Sequence, residues 1–441
     1  MIINRADYIA KLSAKSWNGK VKIITGIRRC GKSFLLSVLF KQHLIETGVT
    51  EDSFIEIDLE KRRDVKYRNP NVLYDYVVKK SSDMGKRYYV FIDEIQLSYR
   101  VKSTDIDEKS VPEEDRELLY TTFYDVLNDL MGHPNLDVYV TGSNSKMLST
   151  DIVTNFRDRG SEIRVYPLSF KEFCQTKELD KIDALEEYLA YGGMPLAVLE
   201  DDEAEKRKYL INLYKNVYLK DIIERNKLKD ITLLDTLTDV LSSSVGSLTN
   251  PHKLANTACS ILGKTTSDST IKKYINILED AYLFSCSKRW NVKGRKYFGS
   301  IQKYYAVDLG LRNARLNWRQ QERSHLMENI LYNELLMRGL SVDVGVVEVL
   351  QTIDGKRKQS QYEIDFVVNT GKEKVYIQSA LNVDDPEKRK QETFSLKHSG
   401  DFYRKIVVID GNQRMWTDED GIIYVGIIPF LLDVETLKIL I

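Results

Sequence analysis

Two glycines, a lysine and a serine stand close together near the amino terminus, in residues 26–33 (GIRRCGKS). Glycines let a loop curl so that successive backbone N–H groups point at one anion, while the lysine adds positive charge and the serine hydroxyl can ligate Mg²⁺. The pattern predicts a loop that binds the phosphates of ATP. The residues expected to contact the nucleotide are Gly26, Ile27, Arg28, Arg29, Cys30, Gly31, Lys32, Ser33 and Phe34.

Two carboxylates follow directly after an apolar run. Residues 88–92 read YYVFI, and Asp93 and Glu94 come next. A buried strand that ends in paired acids suits an ATP site, because the first carboxylate can hold Mg²⁺ and the second can activate a water molecule. We therefore predict Ser33 and Asp93 as metal ligands, and Lys32 and Glu94 as catalytic residues. The glutamate also favours hydrolysis of ATP over phosphoryl transfer to a small acceptor.

A third polar segment, residues 138–144 (VYVTGSN), also ends a β-rich run. An amide or hydroxyl there can contact the γ-phosphate or the attacking water, so we predict Asn144, or its neighbour Ser143, as a sensor; a plain Gly-Ser turn is the alternative. An arginine further on can stabilise charge on the transferring phosphoryl group, often from a neighbouring subunit. Arg159 is the first candidate and Arg157 the second, and a solvated loop arginine is the alternative.

Five short β-rich runs alternate with helical stretches in the first part of the chain. The runs are residues 21–25, 54–58, 88–92, 137–141 and 162–166. Strands that alternate with helices predict an α/β fold, in which a parallel sheet is covered by helices on both faces. The phosphate loop then follows the first strand, and the acidic pair follows the third.

The rest of the chain changes character in stages. Residues 176–232 have helical periodicity broken by a Gly-Gly-Met-Pro turn, which fits a helical lid. The next segment combines helices with an apolar and aromatic stretch, which fits a helix-turn-helix unit with a β wing, and the last segment returns to mixed α and β. We therefore predict domains at residues 1–175, 176–232, 233–318 and 319–441.

The composition fits a folded protein of several domains. The chain has 441 residues, and its 65 Lys and Arg balance 65 Asp and Glu, so any affinity for nucleic acid must come from a local patch. No apolar run reaches the ~18–20 residues that span a bilayer, and the amino terminus is charged, so we expect a cytoplasmic protein without a membrane partner. The four cysteines form no C-x-x-C pair, which argues against a zinc site or a disulfide framework.

A local basic patch is predicted between residues 267 and 307. Residues 267–279 begin with capping residues and place apolar side chains on one face of a helix, as in a recognition helix. Residues 281–307 contain no acidic residue and carry basic residues among aromatic ones, as in a wing that touches phosphates. Packing of this unit on its own ATPase core or on a neighbouring subunit is the alternative. The residues predicted to contact double-stranded DNA are Lys272, Lys273, Asn276, Lys293, Arg295 and Lys296.

Five motifs together resemble a group of prokaryotic AAA+ ATPases with a carboxy-terminal domain of uncharacterised function. The motifs are GIRRCGKS, VFIDEIQ, YVTGSN, YPLSFKEF and YGGMP. The resemblance implies an AAA+ P-loop core, a helical lid, a winged helix and a terminal α/β domain similar to PD-(D/E)xK restriction nucleases. The finger arginine of such proteins usually follows a glycine, whereas Asp158 precedes Arg159 here.

The same resemblance places the residues of a nuclease site in the terminal domain. Asp365 and residues 375–380 look like parts of two neighbouring strands of that fold, with Glu328 on the preceding helix. Cleavage would need a second carboxylate and a lysine, but Gln378 and Ala380 stand at those places. Since an amide is a poor ligand for a hard cation and alanine offers no proton chemistry, we expect no nuclease activity.

The leading hypothesis is an AAA+ ATPase that hydrolyses ATP to ADP and phosphate with Mg²⁺. Its cycle would move a winged helix and an inactive nuclease-like domain on DNA or a protein partner, in a homo-oligomer. The alternative is a regulatory switch or scaffold that recruits protein partners and hydrolyses ATP slowly, independently of DNA. A metal-dependent nuclease and a small-molecule kinase are disfavoured.

Overall fold

The computed structural model describes residues 2–104, 106–143, 160–263, 265–353, 356–371 and 373–432. By internal contacts the chain divides into two compact units, residues 2–166 and the part that begins at Pro167. Among the described residues, no helix has both the length and the apolar character needed to cross a bilayer.

The described residues of the first unit form seven strands and five α-helices. The strands are β1 (Val21–Thr25), β2 (Phe54–Asp58), β3 (Tyr88–Asp93), β4 (Val101–Lys102), β5 (Tyr120–Thr121), β6 (Leu136–Thr141) and β7 (Gly160–Arg164). The helices are α1 (Ala6–Lys15), α2 (Lys32–Phe34), α3 (Lys41–Glu46), α4 (Pro70–Lys80) and α5 (Phe123–Met131). A π-helical stretch, Leu35–Phe40, joins α2 to α3, so that one long helix follows the first strand.

Five of these strands form one parallel sheet in the order β2-β3-β6-β1-β7. The runs of β-branched and aromatic residues predicted this sheet because such side chains pack well on a pleated surface. All five predicted strands are confirmed, although the last one begins and ends two residues earlier than predicted. Strand β6 lies between β1 and β3, so its carboxyl end emerges between the phosphate loop and the acidic pair.

Helices cover both faces of this sheet, as predicted. On one face, Val90 and Val138 belong to a core with residues of α4 and α5, including Leu73 and Leu127. On the other face, Phe40 packs its ring on Phe91 and Tyr139, with centroids 6.2 and 5.3 Å away. Two covered faces favour strands that are buried along their whole length, and the three central strands β1, β3 and β6 have this pattern.

The second unit begins with a helical segment and continues with mixed structure. Its helices are α6 (Phe170–Phe173), α7 (Lys181–Tyr191), α8 (Pro195–Leu199), α9 (Glu203–Asn212), α10 (Lys220–Asn226), α11 (Ile231–Ser243), α12 (Pro251–Leu262), α13 (Asp268–Asp280), α14 (Leu309–Arg315), α15 (Arg323–Met337), α16 (Pro386–Lys397) and α17 (Ile427–Leu432). A π-helical stretch, Leu213–Leu219, joins α9 to α10.

Nine strands of the second unit form one mixed sheet. They are β8 (Leu248–Thr249), β9 (Phe284–Asn291), β10 (Lys296–Ala306), β11 (Ser341–Ile353), β12 (Lys356–Asn369), β13 (Lys374–Ala380), β14 (Arg404–Ile409), β15 (Trp416–Thr417) and β16 (Ile423–Gly426). Their order is β15-β16-β14-β13-β12-β11-β9-β10-β8. Because β9 pairs with β11 in parallel, the hairpin predicted as a wing continues into the sheet of the last segment. The predicted boundary at residue 318 therefore does not coincide with a break in the sheet.

The glycines of the YGGMP motif fix the turn between α7 and α8. A Cβ atom on Gly193 would lie 2.1 Å from the carbonyl oxygen of Leu168, so only glycine fits there. The Gly193 N–H donates to the buried carboxylate of Asp308 at 2.7 Å, which ties the turn to the start of α14. The motif thus has a clear structural role.

We expect Gly193→Ala to lower the free energy of unfolding by about 3 kcal/mol, since a methyl group would have to displace the backbone of Leu168. Chemical denaturation of the full-length protein measures this change. Gly299→Ala is the matched control, because a Cβ atom there meets nothing within 4 Å. Equal stability of the two variants would contradict the claim that the turn requires glycine at position 193.

Candidate functional site

The loop between β1 and α2 has the bent backbone that phosphate binding requires. Gly26, Arg29 and Gly31 have positive φ angles of 139°, 64° and 95°. A Cβ atom on Gly26 would lie 2.1 Å from the carbonyl oxygen of Val165, so this position admits only glycine. Arg29 adopts a left-handed conformation that is uncommon for a residue with a side chain, and such residues concentrate at functional sites.

The nine residues predicted to contact nucleotide divide by the direction of their side chains. Ile27 and Cys30 are buried in the protein core, so only their backbone atoms are available to a ligand. Arg28 reaches away to the carboxylate of Glu60 at 2.7 Å. Phe34 is 44% exposed at the start of the long helix.

Lys32 and Ser33 stand at the amino end of that helix with their polar groups oriented toward the loop and the acidic pair. Lys32 is 4% exposed as a residue, and its ammonium donates to the carbonyl oxygens of Gly26 and Ile27, both at 3.0 Å. The Ser33 hydroxyl donates to Asp93 Oδ1 at 3.0 Å. These two contacts bring the phosphate loop and the carboxyl end of β3 into one site.

A threonine of the intervening strand connects the two members of the acidic pair. Thr141, the last residue of β6, donates its hydroxyl to Asp93 and accepts a hydrogen bond from the Glu94 N–H at 3.0 Å. The sequence interpretation did not assign Thr141 a role, although it lies within the motif YVTGSN. Its position in the middle of the sheet is the signal that identifies it.

Glu94 is held in an unusual position. Its backbone is left-handed, with φ 53° and ψ 51°, and the residue is 8% exposed. Gln96 donates its amide to the Glu94 carboxylate, and the Ser143 hydroxyl donates to Glu94 Oε2 at 3.3 Å. Gln96, in the 3-10 turn that follows Glu94, is a second residue to which the sequence interpretation assigned no role, although it ends the motif VFIDEIQ.

The electrostatic environment of the acidic pair favours proton uptake. Burial raises the pKa of the Asp93 carboxyl, although hydrogen bonds from Thr141 and Ser33 offset part of the shift. Burial likewise raises the pKa of the Glu94 carboxyl, which the Lys32 ammonium partly offsets and the charge of Asp93 increases. A carboxylate with a raised pKa is the stronger base.

The residues at this edge of the sheet fit Mg²⁺ and a triphosphate. A serine hydroxyl and a carboxylate are hard oxygen ligands of the kind that Mg²⁺ prefers, and Ser33 and Asp93 lie within hydrogen-bond distance of each other. The Lys32 ammonium donates to two loop carbonyls, and a phosphate oxygen can replace them as a stronger, charged acceptor. The three other predicted residues, Asn144, Arg157 and Arg159, lie outside the described residues.

The residues predicted to contact DNA are on the surface of the second unit. In α13 the apolar face is buried, and Lys272, Lys273 and Asn276 point outward, as predicted. The turn between β9 and β10 exposes Lys293, Arg295 and Lys296.

The residues singled out in the last segment also come together. Asp365 lies on β12 and Gln378 on β13, two paired antiparallel strands, and the Asp365 N–H donates to Gln378 Oε1 at 3.4 Å. Glu328 lies on α15, as expected for the preceding helix. Within the described part of the chain, no group of three or more His, Cys, Asp and Glu side chains is arranged to hold a metal ion.

Two known protein families match separate parts of the chain. Residues 18–174 match the model of an AAA domain family. Residues 182–322 match a domain of unknown function, DUF8612. The first match covers the parallel sheet with the phosphate loop and the acidic pair.

Two proteins are similar in sequence to most of this chain. An uncharacterized protein of Haemophilus influenzae is 32% identical over 436 residues, which cover 98% of this chain and 99% of that protein. The uncharacterized protein MJ1544 of Methanocaldococcus jannaschii is 26% identical over 387 residues, 84% of this chain and 77% of that one.

A solved structure is also similar, though distantly. It is the Aeropyrum pernix ORC1 protein in complex with DNA, with 13% identity, a TM-score of 0.29, and coverage of 72% of this chain and 93% of that one. At this TM-score no conclusion about function follows. Family membership rests instead on the Haemophilus match: the chain belongs to the same family as that protein, and its residues 18–174 match the AAA domain family.

Proposed function

We propose that the protein is an ATPase that hydrolyses ATP to ADP and phosphate with Mg²⁺ and couples the reaction to a conformational change on DNA or a protein partner. The observation that carries the proposal is the convergence of Lys32, Ser33, Asp93 and Glu94 at the carboxyl edge of the parallel sheet. Ligands of open α/β sheets bind at this edge, where loops and helix amino ends meet.

Binding is assigned to the loop and the residues beside it. The positive φ angles of Gly26 and Gly31 shape a cradle of backbone N–H groups, and Lys32 supplies the charge that holds the phosphates in place. Ser33 and Asp93 would hold Mg²⁺, which when bound neutralises charge on the phosphate oxygens. Thr141 positions Asp93, because its hydroxyl fixes the carboxylate that faces Ser33.

Proton transfer is assigned to Glu94. Its carboxylate would accept a proton from the attacking water, and its burial excludes competing solvent and raises its basicity. Gln96 and Ser143 act as positioning residues, because both donate to this carboxylate.

We further propose that helices α11 to α13 and the hairpin of β9 and β10 form a winged helix that contacts double-stranded DNA. The support is an outward row of Lys272, Lys273 and Asn276 on an amphipathic helix whose opposite face is buried. The exposed turn that carries Lys293, Arg295 and Lys296 supplies a second basic group. A neutral protein overall needs such local patches to bind a polyanion.

We expect the double variant Lys272→Ala/Lys273→Ala to weaken binding to double-stranded DNA and to reduce the slope of log affinity against log salt by about two, since each phosphate contact contributes about one. Fluorescence anisotropy with a labelled duplex at several salt concentrations measures both quantities.

The matched control is Lys79→Ala/Lys80→Ala, which removes two adjacent exposed lysines from α4 in the other unit. This control should leave the affinity and the slope unchanged. Wild-type protein that fails to bind duplex DNA at low salt would refute the DNA proposal while leaving the ATPase proposal intact.

A second candidate function is a slow ATP-dependent switch that recruits protein partners. One observation favours it: Gln96 and Ser143 already occupy the Glu94 carboxylate with hydrogen bonds, which would hold back its action as a base. Steady-state ATP turnover with and without duplex DNA separates the candidates. Stimulation by DNA supports the coupled ATPase, whereas slow turnover that ignores DNA supports the switch.

Assembly is the remaining part of the proposal. We infer a homo-oligomer in which Arg159, or Arg157 in its place, contributes positive charge to a neighbouring nucleotide, as finger arginines do in related ATPases. Asn144 would act as the sensor of the γ-phosphate. We expect ATP turnover to rise more steeply than in proportion to the protein concentration. The Arg159→Ala variant should lose this steep dependence on concentration.

A further inference from the structure

A buried lysine lies among three carboxylates in the second unit. The Lys303 ammonium, on β10, is 2.8 Å from Glu328 Oε1, 2.6 Å from Glu363 Oε1 and 3.7 Å from Asp365 Oδ1. We call these four residues the Lys303 cluster. Glu328 lies on α15, while the other two carboxylates lie on β12, which is separated from β10 by β9 and β11. Four residues from three elements thus meet at one point.

The surroundings bury three members of this cluster, whereas the Glu363 side chain is 31% exposed. Lys303 is only 4% exposed at its side chain, and the Tyr305 hydroxyl donates to the same oxygen of Glu328 at 2.6 Å. The other Glu328 oxygen is covered by Gly246, where a Cβ atom would come within 3.1 Å. The Ser379 N–H donates to Asp365 Oδ2 at 2.9 Å. Lys303, Glu328 and Asp365 therefore each have polar partners within the protein.

One ammonium offsets part of the negative charge of the three carboxyl groups. Burial alone lowers the pKa of the Lys303 ammonium, but the three carboxylates outweigh this effect and raise the pKa above its ordinary value, so the group stays charged. A buried carboxylate without a cation is costly, and removal of one partner of a buried ion pair is strongly destabilising.

A divalent metal does not fit these residues. A restriction-nuclease-like domain, which the sequence resemblance implies, would need one between Glu328 and Asp365. Mg²⁺ demands oxygen ligands at about 2.0–2.1 Å in octahedral geometry and usually keeps several waters, and the ammonium stands where those ligands would converge. Gln378 turns its amide oxygen to the Asp365 N–H rather than to the cluster, and Ala380 is buried and inert.

We propose that the Lys303 ammonium is the resident cation of this cluster and holds the position that a divalent metal would take among the three carboxylates. The lysine comes from the predicted wing, so the cluster also fastens the hairpin of β9 and β10 to the sheet and helix of the last segment. The cluster is then a metal-free centre in which a cation of the chain itself offsets part of the carboxylate charge. The inference does not depend on the proposed ATPase activity.

The experiment is a titration of nucleotide-free, full-length protein with Mn²⁺. The decrease of the free-ion electron paramagnetic resonance signal measures binding, and Tm measures stability. Wild type and Asp365→Asn should bind the same amount of Mn²⁺, because Lys303 occupies the cluster in both proteins and leaves no metal site there. The Lys303→Met variant should have a Tm lower than that of wild type by about 5 °C or more in chelator, and addition of Mn²⁺ should restore it. This variant should also bind more Mn²⁺ than wild type, and the double variant Lys303→Met/Asp365→Asn should lose the additional binding.

Two results would overturn the proposal. One is Mn²⁺ binding, or Mn²⁺-dependent DNA cleavage, by wild type that disappears in Asp365→Asn, since the cluster would then be an open metal site. The other is a folded Lys303→Met variant with no additional affinity for Mn²⁺. If Lys303→Met does not fold in chelator, refolding in Mn²⁺ decides: recovery only with the ion supports the proposal, and failure in both conditions contradicts it.

Discussion

Replacement of Glu94 by glutamine is expected to reduce ATP turnover by about 100-fold or more while leaving ATP bound, because an amide cannot accept the proton of the attacking water. The side chain keeps its size, and the hydrogen-bond donors Gln96 and Ser143 still find an acceptor in the amide oxygen. The loss should therefore appear in kcat with little change in KM. Release of phosphate under steady-state conditions measures both constants.

The control for this variant is Glu46→Gln, which makes the same chemical change at an exposed position at the end of α3. It should turn over ATP like the wild type. A Glu94→Gln variant that retains more than about a tenth of wild-type kcat would show that another group activates the water.

Replacement of Lys32 by alanine is expected to affect binding itself. Its ammonium is buried at the phosphate loop, within 3.0 Å of the carbonyl oxygens of Gly26 and Ile27, and would exchange these neutral partners for phosphate oxygens. Loss of charged hydrogen bonds worth about 1.5–3 kcal/mol each predicts an affinity for ATP that falls about 10-fold to 100-fold or more. Isothermal titration with ATP and Mg²⁺ measures the change.

Lys41→Ala is the matched control. Lys41 lies further along the same long helix and pairs with Glu51 and Glu56 on the surface, away from the loop. Its removal should leave the ATP affinity within about threefold of wild type, since surface ion pairs contribute little. Equal losses in both lysine variants would mean that helix stability, rather than the phosphate contact, determines affinity.

The sequence predicted the first unit well because its signals are local. The three central strands, β1, β3 and β6, are largely apolar runs that are buried along nearly their whole length, and the functional residues stand directly at the strand ends. Chain order then determines which ends meet, so Ser33 and Asp93 were expected together before their 3.0 Å contact was seen. The expectation that Lys272, Lys273 and Asn276 face solvent rests on helical periodicity, which is equally local.

Contacts between distant segments were not predictable in this way. Nothing in the spacing of Lys303 and Glu363 marks them as partners, because their contact depends on how β10, β9, β11 and β12 order themselves in one sheet. The glycines of the YGGMP motif predict a turn, but the hydrogen bond from Gly193 to Asp308 joins residues that are 115 positions apart in the sequence. The role of Thr141 likewise requires knowledge that β6 lies between β1 and β3.

The most direct test of the central claim is an equilibrium titration of ATP with Mg²⁺ into purified Glu94→Gln protein, in which turnover does not distort binding, beside the double variant Lys32→Ala/Glu94→Gln. We predict a saturable isotherm for the first protein and loss of most of the affinity in the second. An isotherm without ATP binding for the first protein, or identical affinities for the two, would contradict the assignment of the phosphate loop.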